Sequence, residues 1–208
     1  MRRPGQKLLL IFVKTPLPGK VKTRLAADIG DEQAVRIYRQ LIDHTKVVAA
    51  RVDPDIQKQV WYSGKQPPKQ FWESNNVQLL QQPEGSLGQK MASAFMSGFQ
   101  SGFQKIVIVG SDCYQLRARH ISQAFERLKK FEVVLGPSLD GGYYLLGMSR
   151  WMQPLFKNKS WSTDRLYTET VATLRQHKLR YSELEPLNDI DTLEDLEKSS
   201  LNLTKPAE

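Results

Sequence analysis

Residues 7–13 are a single lysine followed by an unbroken run of Leu, Ile, Phe and Val, and the run stops at a polar loop. A strand with one wet face alternates apolar and polar side chains. A run with no polar member belongs to a strand covered on both faces, as in a parallel sheet sandwiched between helices. Residues 105–109 repeat the pattern and pass directly into Gly110, Ser111 and Asp112. Between and after these runs the period changes. Val35, Tyr38, Leu41, Ile42 and Val48 recur at helical spacing within 31–50, and further helices are expected over 87–103, 118–130 and 164–177. Shorter strands are expected at 59–62, 77–80, 132–135, 143–146 and 179–184, with a short helix closing the chain. Strands alternating with helices of this length predict an α/β fold, a mostly parallel central sheet with helices on both faces. In such sheets the ligand crevice lies outside the carboxyl ends of the strands, so the residues just after each strand carry the chemistry.

The chain has 208 residues, enough for a sizeable core without staples, and the expectation is one domain over 1–200 with a flexible tail over 201–208. With 40% hydrophobic and 25% charged residues it is neither a disordered, collagenous nor coiled-coil sequence. A lone cysteine, Cys113, makes no internal disulfide, and the apolar run 8–13 is too short for a signal segment or a membrane span, so a cytoplasmic location is expected. Thirty basic against 22 acidic side chains give a net charge of +8, which favours an anionic partner: nucleic acid, an acidic surface or a phosphorylated small molecule. The charge is concentrated in 14–24, while the acids gather in 183–197. That distribution argues against a uniformly basic face for nucleic acid.

Four segments following strands bear the chemistry. The first is Lys14-Thr15-Pro16-Leu17-Pro18-Gly19-Lys20-Val21-Lys22-Thr23-Arg24-Leu25, a loop shaped by two prolines and a glycine and rich in donors for phosphate oxygens. It has neither the Walker pattern nor a G-x-G-x-x-G, so P-loop and Rossmann dinucleotide sites are excluded; a solvated basic loop is the plain alternative. The second is Gly110-Ser111-Asp112-Cys113, where a carboxylate after a buried strand can hold a hard divalent ion, or simply cap the next helix. Cys113, beside that carboxylate and with no histidine near it in sequence, reads as a small buried hydrophobe rather than a nucleophile. The third is Gly136-Pro137-Ser138-Leu139-Asp140-Gly141-Gly142-Tyr143, a tight hairpin whose glycines also let backbone approach a ligand. The fourth is Asp189-Ile190-Asp191-Thr192, two acids that complete a metal site or serve the N-terminus of the last helix, with Asp191 as its cap. His44, His120 and His177 are isolated and read as ordinary helix residues; Phe95, Phe99 and Phe103 read as core.

In this order, and with Trp161-Ser162-Thr163 between the last two, the segments resemble a bacterial family, DUF2064, also described as glycosyltransferase-like transferase 1 associated with radical-SAM or selenium-domain proteins. The resemblance runs from about residue 7 to 196. It departs from the family at Ser86, where an acid is usual, and at Tyr114, where proline is usual. The resemblance implies the GT-A, nucleotide-diphospho-sugar transferase architecture, related to molybdenum cofactor and phospholactate nucleotidyltransferases. On that basis a nucleoside triphosphate or nucleotide sugar is expected against Lys14, Gly19, Lys22, Thr23 and Arg24. Asp112, Asp189 and Asp191 are the expected ligands of Mg2+ or Mn2+. Lys22, Asp112 and Asp140 are the catalytic candidates. Gly141, Gly142, Tyr143, Trp161, Ser162 and Thr163 are expected to shape a small-molecule acceptor pocket. Nucleotidyl transfer to a phosphorylated acceptor is the leading expectation and glycosyl transfer the alternative; a nucleic-acid-binding module and a scaffold on a degenerate transferase fold are the alternatives outside catalysis.

Overall fold

The computed structural model describes residues 7–66, 72 and 77–201. The chain runs β1 (Lys7–Lys14), α1 (Thr23–Ile29), α2 (Asp31–Ala50), β2 (Gln57–Ser63), β3 (Val77–Gln81), α3 (Leu87–Gln100), β4 (Lys105–Val109), α4 (Ala118–Arg127), β5 (Val133–Pro137), β6 (Tyr143–Met148), a 3-10 turn (Gln153–Phe156), α5 (Leu166–Gln176), β7 (Tyr181–Glu183) and α6 (Leu193–Lys198). The strands form one seven-stranded sheet in the order β3-β2-β1-β4-β6-β5-β7. β1 is parallel to β2 and β4, β2 to β3, and β5 to β7, while β6 runs antiparallel to both β4 and β5. The reversed strand follows from the Asp140-Gly141-Gly142 turn. A connection this short can only return antiparallel, and β6 thereby inserts between β4 and β5.

The unbroken apolar runs sit at the centre, as strands buried on both faces must. Leu9, Ile11 and Val13 of β1, with Val107 and Val109 of β4, face a core shared with α1, α2, α4 and α6. Leu8, Leu10 and Phe12, with Ile106 and Ile108, face a second core built on α3, the 3-10 turn and α5. Phe95 and Phe103 are buried in that second core and Phe99 packs against it. On the first face His44 packs on Tyr114 with ring centroids 4.7 Å apart, and His120 is fully buried against Glu185, 2.7 Å away.

Some boundaries differ from the sequence expectation, each for a local reason. Thr23 and Arg24 are not part of the irregular loop; they open α1, a seven-residue helix with only Leu25 buried and hence no periodic stripe to read. The stretch past Arg127 is not α-helical, because the Lys129 and Lys130 N–H groups donate to carbonyls three residues back. The helix expected to reach residue 103 ends at Gln100, where Gly102 likewise bonds three residues back. Ser86, a departure from the family pattern, is the N-cap of α3 in a reciprocal capping box with Gln89. The last helix is capped by Thr192, not Asp191: Thr192 Oγ1 accepts from the Asp195 N–H. Asp112 does not cap α4 either, since that helix starts at Ala118. Leu201 is buried in the first core, whereas 202–208, the rest of the expected tail, lie outside the described residues.

Gly98 is where α3 meets the sheet: a Cβ there would stand 2.5 Å from Ile106 Cδ1 and 2.9 Å from Leu8 Cδ2. Gly98→Val is therefore expected to overpack the second core and destabilise the protein by about 2 kcal/mol, read as a lowered urea midpoint with an unchanged slope.

Candidate functional site

At the carboxyl ends of β1 and β4 the chain leaves a cleft of about 500 Å³. One side is polar: Lys14, Lys22 and Arg24 from the first segment, Asp112 from the second, and Asp189 and Asp191 from the fourth. The other side carries Asp140, Gly142 and Tyr143 from the hairpin and Trp161, Ser162 and Thr163 from the segment before α5. Three of the candidates do not line it. Gly19 lies in an exposed turn with φ +68°, Thr23 is exposed on α1, and Gly141 sits behind the wall. Gly141 has a structural reason to be glycine. Its φ is +86°, a Cβ would stand 2.1 Å from the Asp164 carbonyl oxygen, and its own carbonyl accepts from the Tyr167 N–H at 2.9 Å.

The polar side is organised around Lys22. Its backbone is left-handed, φ +48°, a conformation that costs a residue with a Cβ roughly 1–2 kcal/mol, and it turns the side chain inward where only 3% of it is exposed. The ammonium bonds Asp112 Oδ1 and lies 2.8 Å from Asp191 Oδ1; Arg24 reaches Asp191 Oδ2 at 2.6 Å. Burial works to lower the Lys22 pKa, but the two carboxylates outweigh it and hold the ammonium above the ordinary lysine range. Burial likewise opposes charge on Asp191, and Lys22 and Arg24 overcome it, keeping that carboxyl below its usual range. Tyr38 lies beneath, its ring centroid 6.0 Å from Lys22 Nζ; its hydroxyl accepts from the Lys14 N–H at 2.8 Å and meets Ser111 Oγ at 3.0 Å. Burial, with the charge of Asp112, pushes the Tyr38 phenol up to about 12.

Asp189 differs from both of its neighbours. Its Oδ1 is buried without a hydrogen-bond partner, and burial followed by the charge of Asp112 pushes the carboxyl up to about 8. The second and fourth segments are joined directly, because the Ile190 N–H donates to the Asp112 carbonyl at 3.0 Å. The arrangement is thus an acid corner with one member fully compensated, one shared with Lys22 and one orphaned. Among the described residues no three His, Cys, Asp or Glu side chains form a ready metal cage. Asp191 in particular is taken up by Lys22 and Arg24. Two carboxylates, Asp112 and the unpartnered Asp189, remain as hard oxygen donors of the kind Mg2+ and Mn2+ take, with the rest of a shell left to water or phosphate.

The opposite wall is largely apolar: Phe12, Leu87, Met91, Leu146 and Leu166 join Tyr143 and Trp161. Trp161 is fixed from behind by Phe156, which stacks on Trp151, and it presses on Gly88, where a Cβ would come within 2.2 Å of the indole. Gly142 donates its N–H to Asp140 Oδ1 at 2.9 Å, so Asp140 closes its own turn while standing exposed at the rim. Burial alone raises the Tyr143 phenol. Sequence reading missed Phe12, Tyr38, Gln82, Leu87, Met91 and Asp164. The apolar members and Tyr38 sit in core-like stripes, and only their nearness to a strand end could have marked them. Gln82 could have been found as a polar residue just past β3; its amide donates to the carbonyls of Trp61 (2.8 Å) and Val13 (3.3 Å), tying β2 to β1. Ser86 and Tyr114 do not line the cleft.

Residues 46–163 match the family model described as an uncharacterized protein conserved in bacteria, DUF2064. A crystal structure from Desulfovibrio desulfuricans G20, named there as a candidate nucleotide-diphospho-sugar transferase, superposes with a TM-score of 0.85 at 30% identity, covering 92% of this chain and 85% of that one. Rv0371c from Mycobacterium tuberculosis H37Rv, which has also been solved with manganese, shares the fold at a TM-score of 0.63 and 16% identity over 94% and 97% of the two chains. So does the inositol-1-phosphate CTP transferase of T. maritima, at 0.57 and 13% over 93% and 92%. No curated protein matches the sequence.

Cys113 lines the cleft but is buried, and burial with the nearby Asp189 raises its thiol pKa far above the range of reactive thiols. Cys113→Ala should keep nucleotide affinity within about twofold of wild type by calorimetry, and the native thiol should resist Ellman's reagent until the protein is unfolded. The variant should also keep most of any transferase activity, and near-complete loss of activity with the fold preserved would restore the nucleophile.

Proposed function

This chain belongs to the DUF2064 family, and from that premise we propose that it is a metal-dependent, nucleotide-using transferase that moves a nucleotidyl group from a nucleoside triphosphate to a phosphorylated small molecule. The observation that carries the reading is the pairing, in one cleft, of three cations, the buried Lys22 with the exposed Lys14 and Arg24, and a carboxyl group whose oxygen has no partner. A phosphate chain would answer both: its oxygens would accept from Lys14, Lys22 and Arg24, and Asp189 would help to hold the divalent ion that accompanies it. The fold shared with a CTP transferase is consistent with this use.

The residues would divide the work as follows. Asp112 and Asp189 would hold Mg2+ or Mn2+, which when bound supplies charge neutralisation for the phosphates. Lys22 and Arg24 would hold the phosphate chain and stabilise the charge that gathers on the leaving pyrophosphate, and Lys14 would steer it at the mouth. Tyr143, Trp161, Ser162 and Thr163 would seat the acceptor, whose phosphate oxygen attacks the α-phosphorus. Asp140 would define the rim of that seat. No protein nucleophile is needed: positioning and preorganised charge do the catalysis. A membrane-embedded acceptor is not required by the fold, and no helix among the described residues is long and apolar enough to cross a bilayer.

The likeness to the Desulfovibrio structure favours one second reading, glycosyl transfer from a nucleotide sugar. The two differ in leaving group. Incubating the protein with Mn2+, each nucleoside triphosphate or nucleotide sugar, and pooled phosphorylated metabolites should release pyrophosphate; release of nucleoside diphosphate instead would establish the glycosyl reading. Lys22→Ala and Arg24→Ala should each weaken nucleotide binding at least roughly tenfold, about 1.4 kcal/mol. Lys129→Ala, removing a surface lysine paired with Glu126, should change it less than about twofold. Equal effects of all three would reduce the loop to part of a diffuse basic surface. Asp112→Asn should abolish the thermal stabilisation given by Mn2+ with nucleotide; an unchanged shift would remove Asp112 from the metal site.

A further inference from the structure

The acid corner of the cleft holds three carboxyl groups and one buried ammonium. Lys22 bonds Asp112 Oδ1 and Asp191 Oδ1 together, and with 3% of its side chain exposed it has little water to shield it. Arg24 compensates Asp191 from outside, with 66% of its side chain exposed, and does not reach Asp112. Asp189 Oδ1 has no donor at all. The corner is therefore unevenly filled: of the two carboxyl groups that would hold a divalent ion, Asp112 already bonds an ammonium through Oδ1, while Asp189 has an oxygen with no partner.

A divalent ion arriving alone would meet that ammonium at contact distance, in surroundings that screen charge poorly, so the two cations compete for Asp112. They are not competitors of equal mobility. The Lys22 headgroup rides on a flexible four-carbon stem, whereas its backbone is pinned as the N-cap of α1. The Asp112 side chain is 43% exposed, and Lys14, Lys22 and Arg24 line the same cleft, so a phosphate chain held by Lys14 and Arg24 would approach the Lys22 headgroup. Phosphate offers the ammonium a replacement for Asp112 while it can keep Asp191.

We propose that Lys22 is the resident counter-ion of the acid corner, closing Asp112 to a divalent ion until the phosphate chain of a nucleotide draws the ammonium away, so that metal and nucleotide bind interdependently. The proposal rests on the reading of the cleft as a metal-dependent nucleotide site. It assigns an order to that site: metal does not load first. By linkage, whatever factor the phosphate adds to metal affinity, the metal adds to phosphate affinity.

The test uses Mn2+ as the metal and inorganic tripolyphosphate as the phosphate chain, on the full chain. Free Mn2+ is followed by electron paramagnetic resonance, and the ternary complex by enhancement of water proton relaxation. Wild type is expected to bind Mn2+ alone at least roughly tenfold more weakly than Lys22→Met and Lys22→Gln, and to form the ternary complex once tripolyphosphate is present. Equal Mn2+ affinity in wild type and both variants, with a ternary complex still formed by wild type, overturns the counter-ion role and leaves the transferase reading standing. No ternary complex in wild type, with tripolyphosphate or with any nucleoside triphosphate, overturns that reading and the proposal with it. Circular dichroism verifies the variants. If neither folds, wild type decides: Mn2+ bound alone within about twofold of its affinity beside tripolyphosphate overturns the proposal.

Discussion

The cleft depends on one buried ion pair network. Lys22 belongs to the segment after β1, Asp112 to the segment after β4 and Asp191 to the segment before α6, and they converge on one nitrogen. An isolated buried lysine would shed its proton; two carboxylates within bonding reach reverse that tendency and make the charge permanent. The same network accepts the left-handed backbone at Lys22 and, through the Ile190 to Asp112 backbone bond, sews the chain's last loop onto the sheet. A surface salt bridge contributes little to a fold, but one that anchors three loops at the mouth of a cleft defines the shape of that mouth.

From this anchor the division of the cleft follows. The cations and acids stand in the segments after β1 and β4 and before α6, and β1 and β4 are buried on both faces. The apolar wall is carried by α3, the segment before α5 and the start of α5, with Phe12 of β1 and Tyr143 and Leu146 of β6, and two close contacts constrain it: Gly88 under Trp161 and Gly141 against the Asp164 backbone.

The fold was legible because its signal is repetitive. Apolar runs without polar interruption specify buried strands, and helical stripes between them specify crossovers, so the α/β class and the position of the cleft at the strand ends follow from residues 7–13, 31–50 and 105–109 alone. Less regular features were not legible. α1 buries one leucine and has no period to detect, and the cap of α6 passes to Thr192 because a hydroxyl backed by Asp195 satisfies the helix N-terminus while Asp191 is turned toward Lys22. Gly19, Thr23 and Gly141 belong to segments that reach the cleft, yet their own positions in those segments face away from it.

What the sequence determined by itself is which residue types stand at the strand ends: basic after β1, acidic after β4 and before α6, glycines and aromatics between. Hydrophobic periodicity suffices for that, since it is a local property of the chain. Only the tertiary structure decided how those charges are shared. That Asp191 is neutralised by Lys22 and Arg24, that Asp112 is held by Lys22, and that Asp189 is buried with an unpartnered oxygen all depend on distances between segments remote in the chain. Electrostatic energy varies inversely with those distances and with local burial, and neither quantity is written in the order of the residues.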